Sequence, residues 1–235
     1  MKRFWTETSI AAEPAGFTLL LDGKPMRLPG GEMLLIDRRA LAEAIAAEWQ
    51  ATVVGLEVQP QDLPLTQLAA TATLRIATNP ADTATAIAAY GQSDLLCYRV
   101  AEPEMLAQRQ KAEWQPWLDW AAQRYDAPLT TTTSLGFVAQ NPQSLAALAQ
   151  AVSRHDAHGL AVLGVIVPVL GSLVLGLAMV DGKLAAAEAY RLSTLDELFQ
   201  EERWGQDDEA ADRRAFAARD VIAAGRYFQL SRRDA

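Results

Sequence analysis

The single cysteine, Cys97, sits in "GQSDLLCYR" beside Asp94, Tyr98 and Arg99, the residue types from which a thiol active site could be built. A thiol nucleophile needs a base, usually histidine, and a group that orients the base. The chain has two histidines, His155 and His158, both far along the sequence in "HDAH". Apolar Leu95, Leu96 and Tyr98 flank the thiol, so Cys97 reads as a small buried hydrophobe and a structural anchor. "HDAH" places two imidazoles three residues apart without a second Cys/His group, so it reads as a helix cap at the surface and not a metal site. Neither G-x-x-x-x-G-K-[ST], G-x-G-x-x-G nor G-x-S-x-G occurs, which argues against nucleotide-driven chemistry and a serine nucleophile.

The carboxylate that calls for a sharper reading is Glu188. Helical spacing aligns it with Leu184, Leu192, Leu195 and Phe199, on the stripe that faces a neighbour, where a charge is costly unless paired or open to a groove. It reads as a rim residue, as one salt-bridged to an arginine of the same domain, or as a polar determinant within an apolar contact surface. Trp204, in "EERWG", either locks the helix end or anchors a partner.

The elements that position these residues fall into two regimes. "FTLLLDGKPMRLPGGEMLLI" holds three short apolar runs separated by Asp22-Gly23 and by Pro29-Gly30-Gly31, a β-meander pattern, with Phe4 and Trp5 in "RFWTETSI" as a further strand. From Asp37, Leu41, Ile45 and Trp49 recur every four residues, predicting a helix capped by Asp37. Beyond residue 60 the pattern is helical. Asn79-Pro80 and Asn141-Pro142 read as helix starts, and Gly91 and Gly159 as helix ends. "PEMLAQRQKAEWQPWLDWAAQRY" is a helix that Pro116 kinks or divides, and "PLTTTTSLGF" an extended connection. Residues 183–205 read as one long amphipathic helix and 207–230 as another, with acids in its first turn. The expected fold is α+β: a small N-terminal antiparallel β-rich domain with one helix over residues 1–58, then a larger multihelical domain over 59–235.

Half of the 235 residues are hydrophobic and the net charge is −8, the profile of a folded protein that repels a phosphate backbone. No nucleic-acid partner is expected; the basic "RRAF" at 213–216 and "RRDA" at 232–235 read as solvated faces. One cysteine makes no internal disulfide, and "MKRFWTETSI" has neither signal nor transit character, which fits a cytoplasmic protein. The uncharged run Leu160–Val180 has the length of a membrane span, but Pro168 and Gly164, Gly171 and Gly176 interrupt it and no basic cluster flanks it. It reads as a buried helix pair or a bent helix in the centre of the helical domain, with a membrane anchor as the rival.

Several stretches together resemble the ATP synthase assembly chaperone family that handles the α subunit of the catalytic head. They are "KRFW", "LLLDGKPMRLP", "ALAEAIAAEWQA", "LPLTQLA", "SDLLCYR", "RQKAEWQPWLDWA" and "AEAYRLSTLDELFQEERWG", colinear over nearly the whole chain. The most specific are "SDLLCYR" and the D-E-x-x-Q-x-x-x-W-G pattern of Asp196, Glu197, Gln200, Trp204 and Gly205. The resemblance implies a nucleotide-independent chaperone with no catalysis, which binds unassembled α subunit and yields it to the β subunit; a monomer without a cofactor is expected. It implies a bacterial cytoplasm, or a mitochondrial matrix for a eukaryotic relative. It places the partner site at Glu188, Glu197, Gln200 and Trp204, and makes Trp49, in the family's E-W pair, a packing anchor. The chain departs from the family at Ala70, where Asn is usual, and at Glu201, where an apolar residue is frequent. An enzyme using Asp94, Tyr98 and Arg99 is the remaining rival.

Overall fold

Residues 2–28 and 30–232 are described in the computed structural model of this protein. Strands β1 (Thr8–Glu13) and β2 (Gly16–Leu21) pair antiparallel from Thr8↔Leu21 to Glu13↔Gly16, and β2 continues into the short β3 (Lys24–Pro25). Asp22 and Gly23 both take positive φ, 47° and 75°. That is the backbone a two-residue hairpin with right-handed strand twist needs, and Asp-Gly supplies it cheaply. The extra strand begins at Thr8, after Phe4 and Trp5. Trp5 is instead a core side chain stacked against Trp49 with centroids 5.1 Å apart, while Phe4 faces solvent. The third apolar run forms only isolated bridges, Arg27↔Met33 and Phe17↔Ile36. Pro29 of the second turn lies outside the described residues, as do positions 233–235 of the terminal basic patch.

Helix α1 (Arg39–Ala51) lays Leu41, Ile45 and Trp49 on the sheet, with Leu19, Leu21, Leu34 and Ile36 beneath them. Its N-cap is Arg38, without a side-chain cap bond, rather than Asp37. The Asp37 carboxylate is drawn away, to Arg38 at 2.7 Å and toward His158 Nε2 at 3.6 Å.

The expected domain boundary falls in the segment between α1 and α2 (Pro64–Ala70), and side chains bridge that segment. Glu48 accepts hydrogen bonds from the Leu65 amide (2.7 Å), the Thr66 amide (3.0 Å) and the Thr66 hydroxyl (2.7 Å), and Trp49 Nε1 donates to Thr66 Oγ1 at 2.9 Å. The Glu-Trp pair thus caps α2 from the neighbouring helix, supplying acceptors to N–H groups that α2 cannot bond itself. Burial pushes the Glu48 carboxyl above its ordinary range, against these hydrogen bonds. After α2 the helix widens into a π-helical stretch over Thr71–Ile76.

Then follow α3 (Pro80–Ala88), α4 (Glu104–Tyr125), α5 (Pro142–Ser153), α6 (Ala157–Leu170), α7 (Leu173–Val180), α8 (Ala186–Ser193), α9 (Leu195–Trp204) and α10 (Asp208–Ser231). Asn141 caps α5 by accepting from the Gln143 amide at 2.8 Å, whereas Asn79 makes no cap bond and its amide turns to Asp82. Gly91 lies in the 3-10 turn that closes α3, but Gly159 is in the first turn of α6, not at a helix end, and bonds the Asp156 cap at 2.9 Å. Pro116 does not divide α4.

The uncharged run is a helix pair. α6 turns into α7 through Gly171, whose φ of 62° is the left-handed cap conformation that Gly adopts without strain. At Gly176 an added Cβ would come 2.6 Å from the Val167 side chain, so the two helices approach at a distance only glycine permits. α6 packs against α3 and α10, and its Ile166 and Val167 are fully buried. Among the described residues no helix is long and apolar enough to cross a membrane. The fold is α+β: a small antiparallel sheet followed by a multihelical bundle.

Candidate functional site

Residues expected to form one long helix over 183–205 form two, and the break shapes the candidate site. At Thr194 (φ −106°, ψ 18°) the hydroxyl bonds back to the Tyr190 carbonyl at 3.1 Å, ending α8 before α9 begins. Such back-bonding competes with the helical ladder and bends it. Leu192, Leu195 and Phe199 remain buried on both sides of the break.

Helix α4 holds both pieces. Trp114 Nε1 donates to the Leu192 carbonyl at 2.9 Å, at the end of α8. Gln110, fully buried, accepts from the Val100 amide at 2.9 Å and donates to Asp196 Oδ1 at 2.8 Å, at the start of α9. Outside these contacts runs a ladder of alternating charge. Glu188 accepts two hydrogen bonds from Arg191, at 2.8 and 2.7 Å, and Arg191 also pairs with Glu113. Glu113 meets Arg109 at 3.1 Å, and Arg109 donates to both Glu202 oxygens at 2.8 Å. Because Arg109 and Glu113 are one α4 turn apart, about 6 Å of rise, the carboxylates of Glu188 and Glu202 are pinned to one side of α4. Arg191 holds Glu188 below the usual carboxylate range, so it stays ionised.

The Glu188 side chain is 45% exposed, at the edge of the apolar stripe formed by Leu184, Leu192, Leu195 and Phe199 and not within it. Glu197 lies on the opposite flank of α9, 3.3 Å from Arg214 of α10, which also pairs with Glu201. Gln200 and Trp204, four residues apart, share the outward face, and the Trp204 indole is 77% exposed. Met105, at the start of α4, is also exposed, and Arg203 contacts it. The structure therefore puts Gln200 and Trp204 on one face and sets Glu188 and Glu197 on its two flanks, each tied to an arginine. Arg109, Glu113, Arg191 and Glu202 were not singled out in the sequence. The i,i+4 spacing of Arg109 and Glu113 and the i,i+3 spacing of Glu188 and Arg191 were the available signals.

The residues around Cys97 do other work. Asp94, fully buried, accepts from the Leu96 amide (3.0 Å), the Ser172 hydroxyl (2.8 Å) and the Val174 amide (2.9 Å), so it caps α7 from across the bundle. Burial pushes its carboxyl upward while the bonds from Val174, Leu96 and Ser172 oppose that shift. Cys97 is fully buried and its thiol is pushed up to about 12, mainly by burial and further by the Asp94 charge, leaving almost no thiolate near neutrality. Arg99 bonds the Leu96 carbonyl at 2.9 Å and Gln115 at 3.2 Å. Of the histidines, His158 bonds the buried Tyr227 hydroxyl at 2.6 Å, and burial pushes half-buried His155 below its ordinary value. Among the described residues no group of three or more His, Cys, Asp or Glu is placed to hold a metal ion.

Residues 2–122 match the family described as ATP12 chaperone protein. The solved structure of Atp12 from Paracoccus denitrificans is 39% identical, covers 98% of both chains and superposes with a TM-score of 0.90; a charge-reversal variant of that protein matches equally. An Agrobacterium tumefaciens protein described as a candidate chaperone is 35% identical over 98% of this chain and 86% of its own, with a TM-score of 0.91. With that likeness extending over the sheet, the bundle and the α8–α9 face alike, the chain belongs to the ATP12 chaperone family.

Proposed function

We propose that this protein is an ATP synthase assembly chaperone that binds the unassembled α subunit of the catalytic head, prevents its aggregation and yields it to the β subunit, without turnover and without a cofactor. The observation that carries the reading is the α9 face: an indole left mostly in solvent beside Gln200, on a helix clamped from both sides by ion pairs. A large exposed aromatic on a rigid support is what a contact surface keeps and a monomer's own packing would cover.

Between Asp181 and Glu209 nine acidic residues stand against three basic ones, so the face favours a client surface with a basic rim. An isolated α subunit exposes the apolar interface its β neighbours normally cover, and such surface aggregates. Partial cover by Trp204, steered by Glu188 and Glu197, protects it until the β subunit displaces the chaperone by mass action. A single buried thiol suits a reducing compartment, the cytoplasm. The test is size-exclusion chromatography with freshly refolded α and β subunits offered separately. Co-elution with α alone supports the reading. Absence of a complex with soluble α, or equal binding of β, refutes it.

A further inference from the structure

The charges of this chain are unevenly placed. From Ala127 to Ser153 there is no Asp, Glu, Lys, Arg or His, and from Thr83 to Ser93 there is none either. Those two stretches are the connection between α4 and α5, helix α5, and helix α3 beyond its first turn, which carries Asp82, with the 3-10 turn that closes it. They pack on each other, α3 against α5, so the two uncharged segments form one uncharged face. A groove of about 350 Å³ runs between them, lined by Ala84, Ala88, Ala89, Leu145, Ala146 and Ala149 with uncharged polar neighbours.

Leading into the first turn of α5 is the loop Thr133–Ala139. Its Leu135 is fully exposed and Phe137 is 70% exposed. The loop is fastened at both ends. At one, Thr132 donates to the Cys97 carbonyl at 2.8 Å and accepts from the Arg99 amide at 2.8 Å. At the other, the Gln140 amide bonds Thr130 in both directions, at 2.7 and 2.9 Å. Two large apolar side chains are thus presented on a base that does not depend on their own burial, since neither packs into the core.

We propose that this uncharged face, with Leu135 and Phe137 as its anchors, is a second client-docking surface, separate from the α8–α9 face, and that it takes an uncharged apolar segment of the client. The proposal rests on the chaperone reading above. The occupant's chemistry follows from the face itself. Within the two stretches themselves no side chain offers an opposite charge, so a charge docked over them is desolvated at a cost, whereas apolar side chains bury against Leu135, Phe137 and the alanine-lined groove at a gain. The surrounding hydroxyls and amides of Thr131, Thr133, Gln92 and Gln143, all exposed, serve the polar backbone of such a segment. The acidic α8–α9 face selects for the opposite chemistry, so one client carrying both features would be held at two points.

The test compares wild type, Leu135→Ser/Phe137→Ser and Trp204→Ala, each checked for an unchanged melting temperature. Binding to freshly refolded α subunit is measured by titration, and each protein is also applied to arrayed 15-residue peptides tiling the α and β subunits. The loop pair is expected to bind α at least tenfold more weakly and to lose uncharged apolar peptides while keeping basic ones, with the reverse peptide pattern for Trp204→Ala. Unchanged affinity together with an unchanged peptide set overturns the proposal. If wild type fails to bind refolded α, the client identity fails, and the peptide arm still decides this face: retention of uncharged apolar peptides by wild type and their loss in the loop pair supports it, and any other pattern overturns it. Sedimentation showing a wild-type dimer that the loop pair abolishes would make the face a self-interface and overturn it as well.

Discussion

Replacing Asp94 by Ala separates a structural role for "SDLLCYR" from a catalytic one. The Asp94 carboxylate serves two buried backbone amides, Leu96 and Val174, and the Ser172 hydroxyl. The hydroxyl also accepts from the Leu175 amide at 3.1 Å and can rotate, so it loses least. The two amides are left without acceptors at about 1–3 kcal/mol each. Against that, the variant no longer desolvates a carboxylate whose pKa burial already pushes upward. The net expectation is a loss of about 3 kcal/mol, a large share of the total for a domain. For a chain of this length that corresponds to a fall of roughly 6–12 °C in melting temperature. Asp94→Asn keeps one acceptor oxygen and falls between. The assay is thermal and urea unfolding followed by far-UV circular dichroism, with the urea slope unchanged so that its midpoint also reports stability. Where the Ala variant is folded, its binding to α subunit equals that of wild type. A melting temperature within about 2 °C of wild type, smaller than a 1 kcal/mol loss would give, refutes the capping argument.

Three further outcomes follow from other contacts. Trp49→Phe removes the bond to Thr66 Oγ1 and lowers stability by about 1–2 kcal/mol in the same assay, since the buried hydroxyl keeps Glu48 but loses its indole donor. Glu48 carries a raised folded pKa, so the stability tied to its protonation is fully present below its ordinary 4.5 and is lost as pH rises through the folded value. Urea midpoints of wild type and Glu48→Gln, compared from below that value toward neutrality, converge or cross in favour of Gln as pH rises; a constant difference contradicts the shift. Cys97, buried with its thiol pushed up to about 12, reacts with Ellman's reagent only as fast as the molecule opens, so labelling within the mixing time in native buffer contradicts its placement.

What the sequence made legible was local. The fourfold spacing of Leu41, Ile45 and Trp49 marks α1, Asp22-Gly23 marks the hairpin, and Asn141-Pro142 marks α5, because each feature satisfies its own backbone within a few residues. What stayed hidden depends on partners distant in the chain. Asp94 caps a helix some 80 positions away, as its bond to Val174 shows, and neither periodicity nor spacing carries that information. Asp37 has the residue type of a cap, yet Arg38 and His158 compete for its carboxylate. The break at Thr194 left the apolar period intact, since Leu192, Leu195 and Phe199 keep helical spacing across it, so the pattern read as one helix. The site was legible to the same degree. Residue type and spacing pointed to Glu188 and Trp204, but the arginines that make Glu188 a flank and leave Trp204 the exposed centre come from α4 and α8 together.

The central claim is that a client docks on the α9 face. The most direct measurement is isothermal titration of refolded α subunit into wild type and Trp204→Ala. The indole is 77% exposed, so its removal changes stability by no more than about 0.5 kcal/mol. The account predicts a Kd at least tenfold weaker, about 1.4 kcal/mol, at an unchanged melting temperature. Equal affinity in the two proteins would contradict it.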